Sequence, residues 1–161
     1  MILVTLGTQD KSFVRLLLAL EEQIDKGEIT EEVIVQSGFT QFSSKHMTLI
    51  PYLSQDELDT YRKNASLIIT HGGVGSILDG CRYEKKIIGC ARLKSFKEHI
   101  NDHQVEICEQ FSREGYILYA ANLNDISQLI QDAKQFIPKK YAFDNSKLIM
   151  HIKSVIDLSE K

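Results

Sequence analysis

Apolar residues in this chain fall into two alternating patterns. Short unbroken runs rich in Ile, Val and Leu occupy residues 1–6, 32–38, 47–53, 67–70, 86–91 and 116–120. Their length and β-branched content predict strands. Between them apolar residues recur every three or four positions, which predicts helices over 13–25, from Ser54 to about 64, over 76–83 and 101–113, after Asn124, and over 145–158. In the first of these Phe13, Leu16, Leu17 and Leu20 share a face and Gly27 stops the helix. In the 101–113 helix Ile107, Cys108 and Phe111 point inward and Gly115 ends it. Ser54 followed by Glu57 three residues later forms a capping box, and Asn124 is the expected cap of the helix it precedes.

Strands that alternate with helices imply parallel βαβ units with right-handed crossovers, hence a doubly wound α/β fold with a mainly parallel, Rossmann-like sheet. Two strand-to-helix turns stand out within it. Ile68-Ile69-Thr70 runs directly into His71-Gly72-Gly73-Val74-Gly75-Ser76, and the opening strand runs into Gly7-Thr8-Gln9-Asp10-Lys11-Ser12. Glycines there permit a positive φ and close approach of a ligand, and the first N–H groups of the following helix lack intrahelical partners. Such a turn is an anion site, most often for phosphate. In an open α/β sheet these turns gather along the carboxyl edge, where ligands bind.

Composition narrows the class. A chain of 161 residues, 43% apolar and 25% charged, suits one compact domain spanning 1–161. With two prolines and no glycine/serine-rich tract, no linker or repeat is apparent. A net charge of −3 argues against nucleic acid as a partner. Cys81, Cys90 and Cys108 match no zinc spacing and read as reduced thiols. Residues 1–6 lack the basic start and the length of a signal peptide, and no run approaches the ~20 apolar residues that span a bilayer. A soluble, cytoplasmic protein is expected.

In sequence order, Leu6-Gly7-Thr8-Gln9, Gln36-Ser37-Gly38, His71-Gly72-Gly73-Val74-Gly75-Ser76-Ile77-Leu78-Asp79 and Glu98-His99-Ile100-Asn101-Asp102-His103-Gln104 resemble the glycosyltransferase family 28 C-terminal domain, the donor-binding half of a GT-B enzyme. Within it the chain looks like the small subunits of split enzymes, of the bacterial capsule or exopolysaccharide type and similar to the cytosolic subunit of the dolichol-pathway UDP-N-acetylglucosamine transferase. The resemblance implies an inverting hexosyltransferase that takes galactose or N-acetylglucosamine from a UDP-sugar, with no metal or other cofactor. It places Gly7, Thr8 and Gln9 at the diphosphate or the acceptor cleft, and Gly72, Gly73, Gly75 and Ser76 around the diphosphate. Backbone near Leu53 meets the uracil, Asp79 the ribose hydroxyls, and Gln104 with Asn101 or Asp102 the sugar. Asp79 stands where relatives carry Glu, so its reach is shorter.

Each role has a plainer rival. Asp79 can stabilise a helix's first turns, and His71 can be a strand-end histidine satisfied by a carbonyl. His99 and His103 lie four apart, but no third metal ligand is apparent. The catalytic base is not identified; His71 and Glu98 are the candidates. Full GT-B enzymes carry the acceptor, and often the base, on a second domain that this length cannot hold. The implied partner is a membrane-anchored subunit that binds a lipid-linked acceptor and keeps this chain at the inner membrane face. The Leu16-Leu17-Leu18-Ala19-Leu20 run reads as core that leaves some apolar surface for a partner, and self-association to a homodimer is expected when that partner is absent. Two other readings stay open: a non-catalytic nucleotide-sugar-binding or enhancer subunit, and a flavodoxin-like regulatory domain.

Overall fold

The computed structural model describes residues 1–143. The expected helix over 145–158 lies outside the described residues. Six strands alternate with five α-helices: β1 (Ile2–Thr5), α1 (Val14–Asp25), β2 (Val33–Gln36), β3 (Met47–Ile50), α2 (Gln55–Asn64), β4 (Leu67–Thr70), α3 (Val74–Arg82), β5 (Ile87–Gly89), α4 (His103–Arg113), β6 (Leu118–Tyr119) and α5 (Ile126–Gln135). Single 3₁₀ turns, Lys94–Phe96 and Leu123–Asp125, precede α4 and α5.

All neighbouring strands are parallel, in the order β3-β2-β1-β4-β5-β6. This is the doubly wound dinucleotide-fold order, and it differs from the 2-1-3-4-5 order of a flavodoxin-like sheet. Chain direction across the sheet reverses between β1 and β4, whose register pairs Thr5 with Thr70. Their hydroxyls hydrogen-bond at 3.0 Å inside the core. Every residue of β1, β2 and β4 is buried, as expected of strands covered on both faces.

One core layer holds Leu16, Leu17 and Leu20 of α1, Ile126, Ile130 and Ala133 of α5, and Val4, Val35 and Ile69 of the sheet. The other holds Ile77 of α3, Cys108 of α4, and Leu3, Ile68 and Ile87. Phe13, the residue before α1, is completely buried, and its N–H donates to Thr40 Oγ1 at 3.0 Å. At α2 the Ser54–Glu57 capping box is present in both directions. At α5 the cap differs from expectation: Asn122, not Asn124, accepts a hydrogen bond, from Asn124 N–H, and caps a 3₁₀ turn that delays the helix to Ile126. α4 also starts two residues late, at His103, because Asn101 and Asp102 spend their side-chain oxygens on the N–H groups of His103 and Lys94.

Candidate functional site

A doubly wound sheet has its ligand crevice at the reversal point, here the carboxyl ends of β1 and β4, where glycines shape the turns on both sides. Gly7 has φ +74° and Gly72 φ +80°, a region that side-chain-bearing residues rarely adopt. A Cβ on Gly72 would also stand 2.7 Å from Cys108 Sγ. The two walls meet on one side chain. A Cβ on Gly7 would come within 2.7 Å of the His71 ring, and a Cβ on Gly73 within 2.5 Å of its Nε2. The imidazole thus fills the gap that the two turns leave between them. Gly75 is different, because its Cβ direction is open space and its φ is not positive.

His71 is tied to β1 twice. Its backbone N–H donates to Thr5 O at 3.1 Å, and its Nδ1 lies 3.2 Å from the same oxygen. A carbonyl only accepts, so Nδ1 carries the proton and Nε2 presents a bare lone pair between Gly7 and Gly73. Burial, opposed by that hydrogen bond and helped by the Arg92 charge, pushes the His71 pKa down to about 4. The ring is neutral at pH 7.

α3 begins at Val74 with Gly73 as its cap residue, without a side-chain cap and without an acidic residue in its first turn. The N–H groups of Val74, Gly75 and Ser76 have no partners within the helix, and the helix dipole adds positive potential there. About one turn further on, Asp79 is bound through Oδ2 to Arg62 Nη2 of α2 at 2.8 Å. Arg62 is buried and also holds Asp59 at 2.7 Å. The other Asp79 oxygen is 3.9 Å from Arg82, too far for a hydrogen bond, and keeps its lone pairs.

Beyond β5 lies a set of buried polar groups. Glu98 is 4% exposed and receives a bidentate grip from Arg15, Nε to Oε1 at 3.0 Å and Nη2 to Oε2 at 2.8 Å, while Leu93 N–H donates to Oε2 at 3.0 Å. Gln104 is also buried, with Oε1 accepting Arg92 N–H at 3.1 Å, and its Cβ lines the pocket that Gly72 leaves open. Asn101 and Asp102 stand at the entrance of α4. Arg92 is not marked by its sequence context, because an arginine next to a strand reads as a surface charge; it is 1% exposed. The neighbouring glycine and cysteine in Gly89-Cys90-Ala91-Arg92 were the only signal of a strand end that turns into the interior.

Sheet order turns these scattered turns into a row. Leu53 follows β3, Gly7, Thr8 and Gln9 follow β1, His71 to Ser76 follow β4, and Asn101, Asp102 and Gln104 follow β5. From β3 to β5 the row crosses four strand spacings, about 19 Å at ~4.8 Å each. A cavity of about 530 Å³ lined by Gly38, Phe39, Phe42, Pro51 and Tyr52 opens at its β2–β3 end. Among the described residues no group of three or more His, Cys, Asp or Glu side chains is arranged to hold a metal ion.

Residues 1–158 match the glycosyltransferase family 28 C-terminal domain. The chain belongs to this family. It is 26% identical over 95 residues to the UDP-N-acetylglucosamine transferase subunit ALG13 of Candida albicans, covering 59% of this chain and 31% of that protein. It thus spans about a third of that curated relative's length. Among solved structures it is similar in fold to an NMR structure of ALG13, with TM-score 0.54, 18% identity and 91% coverage of each chain. It also resembles the crystal structure of the glycotransferase of kitacinnamycin, with TM-score 0.59 and 13% identity, over 82% of this chain and 34% of that one. The family 28 chain therefore has the fold of a GT-B glycosyltransferase domain.

Proposed function

We propose that this family 28 domain binds a UDP-sugar along the carboxyl edge of its sheet and transfers the sugar, with inversion, as one subunit of a two-part enzyme. The observation that carries this reading is the row: cavity and Leu53 at one end, two glycine turns in the middle, Gln104 and the entrance of α4 at the other. It matches the order of base, diphosphate and sugar in an extended nucleotide-sugar.

The uracil lies toward Leu53 and the ribose hydroxyls reach the free oxygen of Asp79, which Arg62 orients. The diphosphate sits against Gly7, Thr8 and Gln9 on one side and against Gly72, Gly73, Gly75 and Ser76 on the other. Its negative charge grows as the bond to the sugar breaks, and fixed N–H donors at the start of α3 bind that growing charge without having to reorganise. The amide of Gln104, held by Arg92 N–H through its oxygen, offers its NH₂ to a sugar hydroxyl beside Asn101 or Asp102.

Neither candidate base suits proton abstraction from an acceptor hydroxyl. His71 at a pKa of about 4 is a weak base, and both Glu98 oxygens are committed to Arg15 and Leu93. The base is therefore supplied by a partner, which we take to be a membrane-anchored subunit carrying the lipid-linked acceptor and holding this chain at the cytoplasmic face. Galactose and N-acetylglucosamine are both retained as the sugar, the latter being the one named in the ALG13 relatives; a capsule or exopolysaccharide product is the setting proposed. Leu18 and Phe96, each more than half exposed, line one cleft. They give the isolated chain a route to a homodimer.

Calorimetric titration of the purified chain with UDP, UDP-galactose, UDP-N-acetylglucosamine and FMN tests the reading. Saturable binding of the uridine ligands and none of FMN is the expected result. A folded chain that ignores millimolar UDP overturns it.

A further inference from the structure

Arg92 follows β5 and is almost completely withdrawn from solvent, at 1% exposure. Its partners are all backbone carbonyls: Nη2 donates to Leu6 O at 2.7 Å, and Nη1 to Lys11 O at 2.5 Å and Glu98 O at 3.4 Å. Leu6 and Lys11 bracket the β1–α1 turn that contains Gly7, Thr8 and Gln9. The plane of the guanidinium lies near the Phe13 ring, 5.1 Å from its centroid. Through its own N–H the residue also holds Gln104.

What Arg92 lacks is a carboxylate in contact with its guanidinium; burial disfavours its charge, and Glu98 supports that charge only from a distance. Among the described residues it forms no ion pair, and the nearby Glu98 carboxylate is gripped by Arg15 instead. Its Nε is buried and has no hydrogen-bond partner. A buried cation without a counter-ion is costly and is found where something compensates it. The compensation available here is an anion in the crevice whose first wall Arg92 braces. Its field already reaches that crevice, since it disfavours protonation of His71.

We propose that Arg92 is a positioning residue that supplies the buried counter-charge for the diphosphate: it fixes the β1–α1 turn by its carbonyls and holds behind it a positive charge that a bound anion balances more directly than Glu98 does. This rests on the donor-site reading above. The arginine has two separable functions, bracing and charge, and lysine preserves only the second. Lysine in a buried position without a counter-ion loses its proton at lower pH than usual, whereas arginine stays charged throughout.

The test compares uridine and UDP binding to wild type, Arg92→Met and Arg92→Lys, with folding checked by circular dichroism and thermal melting. For a folded Arg92→Met chain, UDP affinity is expected to fall more than tenfold while uridine affinity changes less than threefold. Equal losses for both ligands, or no loss, overturn the counter-charge. Should the methionine variant not fold, Arg92→Lys decides. Its UDP affinity relative to wild type is expected to drop at least fivefold between pH 6.5 and pH 9, with no such trend for uridine; a constant ratio overturns the proposal. A wild-type chain that binds no UDP removes the donor-site reading itself, and this inference with it.

Discussion

His71 and the glycines around it show how single residues divide the work of the crevice. Gly72 and Gly75 stand three apart yet have opposite reasons to be glycine. Gly72 needs its positive φ and the space beside Cys108, so Gly72→Ala is expected to destabilise the fold by about 1–3 kcal/mol, read from urea melts. Gly75 has an ordinary φ and nothing near its Cβ direction, so Gly75→Ala is expected to leave stability equal or raised by up to about 1 kcal/mol. Yet its methyl would enter the open space that the proposed diphosphate takes, and UDP affinity is expected to fall at least tenfold. A Gly75→Ala chain with normal UDP affinity would contradict the phosphate turn. His71 makes a second prediction, in pH. Its folded pKa of about 4 is below the ordinary 6.5, so between those values the unfolded chain takes up a proton that the folded chain refuses. Stability from this group is complete above pH 6.5 and is lost as pH falls toward 4, by roughly 3 kcal/mol in all. Wild type minus His71→Gln, followed by urea denaturation at pH 7 and pH 4.5, isolates that slope from the carboxylates. An identical slope in the variant would show that His71 is not the group responsible.

At the scale of elements, what could be read from the sequence was whatever rests on periodicity and turn chemistry. The buried strands β1, β2 and β4 announce themselves because both faces are apolar, and the Ser54–Glu57 box because its two residues are only three apart in sequence. Less legible were features decided by side chains competing for nearby N–H groups or by distant partners. The starts of α4 and α5 shift because Asn101, Asp102 and Asn122 bond to local backbone N–H groups and create 3₁₀ or irregular turns ahead of each helix. Glu98 was singled out from its motif, yet its occupant, Arg15, is 83 residues away in the chain. The α2–α3 contact is another such pair: Arg62 and Asp79 have no sequence signature, and their ion pair leaves the second Asp79 oxygen without a hydrogen bond. Asp79→Asn is therefore expected to weaken UDP by about 1.5–3 kcal/mol, the worth of a charged hydrogen bond, and to weaken 2′,3′-dideoxy-UDP much less. Equal losses for both ligands would assign Asp79 to the Arg62 ion pair alone.

For the molecule as a whole, the question is what a donor half accomplishes by itself. On the reading proposed above, the parallel sheet and its crevice hold the nucleotide, and the start of α3 stabilises the departing diphosphate. A transfer also requires an acceptor held in line with the sugar and a base within reach of its hydroxyl. The two titratable candidates in the described residues are a histidine held neutral by burial and a glutamate enclosed by an arginine. Among those residues no helix is long and apolar enough to cross a membrane, so a lipid-linked acceptor is not brought to the site by a span in this part of the chain. In the glycotransferase structure that shares this fold, the matching portion is 34% of the chain, leaving most of that protein on the other side of the comparison. The purified chain, given a UDP-sugar and a lipid-diphosphate acceptor in detergent, is therefore expected to release UDP slowly and to form no glycolipid. Membranes containing the co-expressed partner are expected to raise transfer by at least a hundredfold, and Gly75→Ala to abolish the gain while leaving the two proteins associated. Efficient transfer by the isolated chain to that acceptor or to a soluble sugar would mean that the base lies within it, and the two-subunit reading would be wrong.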